Sequence, residues 1–290
     1  MCAALTMAAP AAAEVMGQPH PWGVSLQLGA TEIMNQIRWF ETYTLIIITV
    51  IVLFVMALMG WVMVRYRAHR NPNPSRVTHN TMVEIVWTIV PVLILVAIAF
   101  PSFRLLFAET TIPEPQMTVK FTGGQWYWQY DYMDEDFAPI GTIISNMLND
   151  EGRQARMEEY NLPESSVPRL LSVDYPLVVP EDTVIHVLTT SLDVNHAMAV
   201  PAFGIKADSI KGRINESWFS ANETGIFYGQ CSELCGRNHA FMPMEVHVLD
   251  KERFAEWTAL AKDDLDKATE QLFAWQAEDT GSNTVAALAN

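Results

Sequence analysis

From Tyr43 to Val64 the chain carries no charged residue, and from Ile85 to Phe103 it carries none again. Ile, Val, Leu and Met fill both runs, which are 22 and 19 residues long. Each can cross ~30 Å of hydrocarbon as a helix rising ~1.5 Å per residue. A soluble helix of that length would keep a polar face, and neither run has one, so both are expected to span a membrane. Trp61, Tyr66 and Trp87 sit near the run ends, where interfacial aromatics belong. Pro91 falls inside the second run, which a transmembrane helix tolerates. The connection between the runs, Arg65 to Val83, holds Arg65, Arg67, Arg70 and Arg76 and no acid. The excess of basic residues predicts that this loop lies in the cytoplasm or the mitochondrial matrix, with both termini on the opposite side.

The pattern changes near Gln116. Short apolar and aromatic stretches, bounded by Pro, Gly, Asn and Asp, predict strands at Met117–Thr122, Gln125–Tyr132, Leu177–Pro180, Thr183–Thr190, Ser217–Ser220, Gly225–Gly229 and Met244–Leu249. Such a series suggests a sandwich or barrel. Residues 146–170 interrupt it with a polar, charged insertion, expected to be a surface excursion. After Asp250, the residues Phe254, Trp257, Ala261, Leu265, Ala268 and Leu272 recur at steps of three and four and line one face of a C-terminal helix. A small, polar tail from about Glu278 reads as disordered. At the other end, Ala11-Ala12-Ala13 before Glu14 resembles the cleavage end of a secretory signal, although the first basic residue is Arg38.

Charge sharpens the division. Residues 1–114 hold six acids and six bases, whereas residues 115–290 hold 27 acids and 12 bases, the whole of the net −15. An acidic domain repels nucleic acid and draws basic partners, although acidity also serves simple solubility.

Three cysteines do not make a disulfide scaffold. Two of them open the segment Gly229-Gln-Cys231-Ser-Glu233-Leu-Cys235-Gly-Arg-Asn-His239-Ala-Phe-Met242, and a further imidazole, His196, lies upstream. Cys231 and Cys235 could form a disulfide in an oxidising compartment, the Cys and His pairs could hold zinc, and Met242 could be ordinary core. The full set of thiols, imidazoles and a thioether favours copper. It exceeds what one trigonal copper needs. Two coppers bridged by both sulfurs would use every donor and leave no open position, which suits an electron relay rather than bond chemistry.

These residues also carry a resemblance. Cys231-Ser-Glu-Leu-Cys235-Gly followed by His239 and Met242 is similar to the binuclear copper (CuA) signature of cytochrome c oxidase subunit II. So are His196-Ala-Met-Ala-Val-Pro-Ala-Phe-Gly-Ile-Lys-Ala-Asp, the aromatic run Gly124-Gln-Trp126-Tyr-Trp128-Gln-Tyr130-Asp-Tyr132, and Glu84-Ile-Val-Trp87-Thr-Ile-Val-Pro91. The motifs keep the family's order over residues of about 40–250.

The resemblance implies an α+β membrane protein: a two-helix transmembrane hairpin, a cupredoxin-like antiparallel β-sandwich and a C-terminal helix. The expected divisions are 1–39, an extracytoplasmic segment with a signal remnant at 1–13; 40–108, the hairpin; 109–250, the copper domain; and 251–290, the helix and tail. It implies copper ligands at His196, Cys231, Cys235, His239 and Met242 with the carbonyl of Glu233, and a magnesium ion shared with subunit I through the Glu233 carboxylate. Electrons enter at Trp126, while Trp128 reads as a buried sandwich aromatic. Asp131, Asp134, Asp174 and Asp193 resemble acidic docking residues for a basic cytochrome c, with generic solvated acids as the alternative. Glu84 either sits at the mouth of a proton-uptake path into subunit I or simply favours its helix N-terminus. The implied function is electron transfer from cytochrome c to the haem of subunit I, where oxygen is reduced to water with proton pumping. The chain is thus one subunit of an oxidoreductase and does not hold the oxygen-reduction site. Subunits I and III, cytochrome c and lipid are the implied partners, with no nucleic acid. The expected location is a bacterial inner membrane rather than a mitochondrial one, with the copper domain periplasmic.

Two positions depart from the pattern: Met198 stands where an aromatic residue is common, and Asn195 where an apolar one is usual. The absence of Cys-x-x-Cys-His excludes a fused cytochrome c. A copper-free quinol oxidase subunit would lack these ligands, and a nitrous oxide reductase would need a large further domain. A membrane-tethered copper-binding or metallochaperone module is the alternative, and would need an exposed, labile site.

Overall fold

The computed structural model describes residues 17–288, with side chains as far as Gly281. The expected signal remnant at 1–13, with Cys2, lies outside them. The chain divides into a helical unit over residues 36–111 and a second unit made by the residues on either side of it.

Helices α1 (Glu32–Arg65) and α2 (Thr81–Thr110) contain the two uncharged runs. Their most apolar windows have 0% of residues buried. Leu53, Phe54, Trp61, Leu93, Leu95 and Phe100 all face outward, as expected where the solvent is lipid. Tyr43 Oη donates to the Ala97 carbonyl at 3.1 Å and ties one helix to the other. The start of α2 is capped reciprocally. Asn80 Oδ1 accepts from the Val83 N–H at 3.2 Å, and Glu84 Oε1 accepts from the Asn80 N–H at 3.2 Å.

The second unit is built from ten strands: β1 (Met117–Gly124), β2 (Tyr127–Tyr132), β3 (Thr142–Ser145), β4 (Leu177–Pro180), β5 (Ile185–Ser191), β6 (His196–Val200), β7 (Ile205–Ser209), β8 (Asn215–Phe219), β9 (Gly225–Gln230) and β10 (Pro243–Leu249). They form a sheet ordered β3-β2-β1-β5-β8, a second ordered β4-β10-β9, and the pair β6-β7. β5 alternates buried and half-buried positions along its length, the mark of a strand with one face inward. One core joins the layers: Phe121, Trp128, Tyr130 and Val187 meet Leu177, Val179, Phe227, Val246 and Val248. The expected sandwich is therefore present, and most pairings are antiparallel. Two are not, because β1 runs parallel to β5 and β4 parallel to β10. Alternation along a strand reports which face is buried and not the direction of its neighbour.

The segment before α1 is strapped to this unit. Ala30 N donates to Ala202 O and Thr31 Oγ1 to Phe203 O, both at 2.8 Å, and Tyr228 N donates to Gly17 O at 2.9 Å.

The insertion is more than a surface excursion. It contains a helix, α3 (Asp150–Glu159), with Arg153 and Arg156 buried. Arg153 donates through Nε and Nη2 to Val167 O at 2.9 and 2.7 Å, closing the insertion on itself. Arg156 reaches the fully buried Glu245 of β10 at 3.4 Å and also donates to Val173 O. Glu245 in turn accepts from Val173 N and faces His247 Nε2, each at 2.9 Å.

The single C-terminal helix is in fact two, α4 (Lys251–Asp263) and α5 (Leu265–Leu288). Asp264 lies extended between them, donating its N–H to Leu260 O and accepting from Asp266 N and Lys267 N with its carboxylate. It thus ends one helix and caps the next. The apolar face continues across the break, since Phe254, Trp257, Ala261, Ala268 and Leu272 are all buried. Helix also continues through Glu278, where the sequence predicts a disordered tail. Arg253 of α4 binds Asp279 at 2.8 Å and Glu278 at 3.9 Å and holds that stretch down.

Candidate metal centre

The loop between β9 and β10 supplies the two thiols, one imidazole and the thioether, while His196 opens β6 beside it. Cys231 Sγ lies 3.8 Å from Cys235 Sγ and 3.8 Å from His196 Nδ1. Cys235 Sγ lies 3.5 Å from both His239 Nδ1 and Met242 Sδ. The Glu233 carbonyl points to Cys231 Sγ at 3.3 Å. All five side chains predicted as ligands, and the predicted carbonyl, therefore face one centre. Its inner members are buried: His196 is 0%, Met242 1%, Cys235 3% and Cys231 6% exposed. The Glu233 residue itself is exposed.

Both cysteines are free thiols, which sets the disulfide reading aside. Their protonation is opposed. Burial resists charge at Cys231, but hydrogen bonds with His196 and with the backbone of Ala197 draw its thiol down to about 6. Burial first, and then the neighbouring Cys231 charge, push Cys235 up to about 12. The pair thus carries one negative charge more readily than two, and a cation between the sulfurs would relieve that opposition. His196, Cys231 and Cys235 offer ligand atoms all within 4.8 Å of one another. A soft cation fits this donor set by chemistry and by charge.

Three surrounding contacts hold the donors in place. Asp193 Oδ1 faces His196 Nε2 at 2.9 Å, which leaves Nδ1 for the centre. Burial opposes ionisation of Asp193, yet His196 and the amides of Val194 and Gln125 bring its carboxyl below the usual range. Trp128 is fully buried, sits edge-on to His196 at 6.0 Å, and donates its indole N–H to Met242 O at 3.0 Å. Gly123 lies so close to His196 that a Cβ there would come within 2.8 Å of the imidazole, so no larger residue fits. The sequence offers Asp193 as a docking acid close to a ligand and gives Gly123 no role. The Gly123-Gly124 pair just before the aromatic run was the available signal.

Trp126, half-buried, donates Nε1–H to Cys235 O at 3.3 Å. The other acids lie apart from the centre, each engaged locally. Asp131 pairs with Lys120 at 2.8 Å, Asp134 accepts from Thr118 N at 2.8 Å, and Asp174 accepts from Asn146 N at 2.6 Å. Glu84 belongs to the helical unit, where it caps α2.

Residues 117–249 match the family described as cytochrome C oxidase subunit II, periplasmic domain, and residues 19–105 match its transmembrane domain. The probable cytochrome c oxidase subunit 2 of Rickettsia felis is 44% identical over 242 residues, covering 83% of this chain and 73% of that one. The cytochrome c oxidase subunit 2 of Cereibacter sphaeroides is 42% identical over 253 residues, covering 86% and 84%. Among solved structures, the periplasmic domain of subunit II of cytochrome oxidase from Bradyrhizobium japonicum is 45% identical, covers 52% of this chain and 97% of its own, and superposes with a TM-score of 0.44.

Proposed function

The chain belongs to the cytochrome c oxidase subunit II family, and on that premise we propose that it takes electrons from a cytochrome c at a two-copper centre and passes them to the haem of subunit I. It is a membrane-anchored subunit of a haem–copper oxidase complex. The observation that carries the copper reading is the convergence of two free, buried thiols, two imidazoles and a thioether within a few ångströms. Bound among these thiols and imidazoles, copper would supply a one-electron relay.

The chain's own residues do the rest. Cys231 and Cys235 would hold the metal through sulfur, His196 and His239 through Nδ1, and Met242 and the Glu233 carbonyl would add the remaining donors. Burial of the sulfurs excludes water and keeps reorganisation small. Trp126, whose indole touches the backbone of Cys235, receives the electron from the donor haem. The exposed Glu233 carboxylate would share a magnesium ion with subunit I. The acidic surface, with Asp131, Asp134, Asp174 and Asp193 among its carboxylates, attracts a basic cytochrome c. Four arginines in the connecting loop favour a cytoplasmic side for that loop and a periplasmic side for the copper unit of a bacterial inner membrane. Glu84 spends its carboxylate on capping α2, so a proton-uptake role would have to share it.

Metal analysis and electron spin resonance on the purified oxidase test this reading. Two coppers assigned to this chain, sharing one unpaired electron, are expected. Zinc, or a single-copper signal, would sink it. Exchange of the metal within minutes would instead favour a metallochaperone-like module.

A further inference from the structure

The turn between β1 and β2 carries a side chain whose role neither the ligand set nor a docking surface explains. Gln125 is exposed, yet its polar groups work inward. Its backbone N–H donates to Asp193 Oδ2 at 2.8 Å, on the carboxylate whose other oxygen meets His196. Its side-chain Nε2 donates to Cys235 O at 2.9 Å. The Trp126 indole N–H donates to that same oxygen at 3.3 Å. A carbonyl oxygen has two lone pairs, and both are used here.

The closeness of the turn to the metal loop depends on Gly236. Its φ is +120°, and a Cβ there would sit 3.1 Å from both Gln125 Nε2 and Trp126 Cζ2. Asp193, Gln125 and Cys235 thus form a hydrogen-bonded bridge between the strand that bears His196 and the loop that bears both sulfurs. Trp126 is the residue next along the bridge.

We propose that Gln125 is a positioning residue for electron transfer, whose side-chain amide fixes the Trp126 indole against the backbone of Cys235. The proposal rests on the reading of Trp126 given above and adds a partner on which that residue depends. An indole bound to one carbonyl through a single N–H can pivot about it. The second donor from the adjacent residue removes that freedom, because the backbone of Gln125 is itself held by Asp193. Gln125 therefore acts through Trp126.

The test uses the complete oxidase with Gln125→Met, which keeps the chain length and removes both amide N–H donors. Gln125→Glu, similar in shape and acceptor-only when ionised, serves if Gln125→Met fails to assemble. The electron spin resonance signal of the copper centre and the KM for cytochrome c are expected to hold. The rate of electron transfer inside a preformed donor–oxidase complex, started by a light flash, is expected to fall on the order of tenfold, a fraction of what a full ångström of misplacement can cost. Added to Trp126→Phe, the Gln125 substitution should then cost nothing more. An additive loss, a changed copper signal, or a raised KM with an unchanged transfer rate each overturns the proposal. A slow Trp126→Phe beside a full-rate Gln125→Met removes Gln125 alone. A full-rate Trp126→Phe removes the reading of Trp126, and this proposal falls with it.

Discussion

Asp193 keeps 33% of its side chain exposed, and in the sequence it resembles an acid waiting for a basic partner. Its carboxylate is nevertheless committed, to His196 Nε2 and to the amides of Gln125 and Val194. That fixes the ring orientation and leaves Nδ1 facing the sulfurs. Asp193→Asn removes the charge and one acceptor, and a carboxylate behind a ligating imidazole commonly contributes about 10–100-fold in metal affinity. Copper retention in a chelator competition is expected to fall by that order, and unchanged retention would return Asp193 to the surface. Four of the five candidate ligands were legible because they crowd into one short segment with an unusual donor chemistry. Their supports were not. Gly123 lies near the end of β1 and Gln125 in the turn after it, but Asp193 lies between β5 and β6, and only the pairing of β1 with β5 brings it beside them.

The elements that escaped the sequence did so for different reasons. β6 is buried at all five positions, so it shows no alternation. β3 has only four residues. α3 hides because the residues it buries are Arg153 and Arg156, so its inward face is charged and carries no apolar period. That face is also where the insertion is secured. Arg156 stacks on Phe273 at 3.8 Å and pairs with Glu245. Removing one partner of such a buried pair typically costs about 3–5 kcal/mol, so Arg156→Leu should lower the denaturation midpoint of the copper unit. A midpoint equal to wild type would mean the pair contributes nothing.

The same pair links stability to acid. Burial works against the charge on Glu245, but Arg156 and His247 outweigh it and hold its carboxyl below the ordinary value. The unfolded chain then binds a proton that the native chain refuses. The stability this supplies is present above the ordinary glutamate value of about 4.3 and is lost as pH falls through the lowered one. In unfolding curves between neutral and acidic pH, Glu245→Gln should show less of that loss, from a weaker start. An identical slope would exclude Glu245 as a source. At the other end of the unit, the six periodic positions from Phe254 to Leu272 were legible, but the break at Asp264 was not, since one residue can cap two helices without disturbing the period.

Across the whole molecule, the net charge of −15 lies entirely beyond residue 114. Raising ionic strength from 0.01 to 0.15 M shortens the screening length from about 30 Å to about 8 Å. The KM for a basic cytochrome c should therefore climb steeply over that range, with much less change in turnover at saturation. A flat dependence would exclude electrostatic docking. The topology has a temporal consequence as well. Trp128 must reach the carbonyl of Met242, 114 residues further on, and the two parallel strand pairs close only after long stretches have been made. Distant pairings of this kind form late and slowly. The full enclosure of the sulfurs, with Trp128 against Met242 and His196 beside Cys231, is therefore expected among the later products of folding.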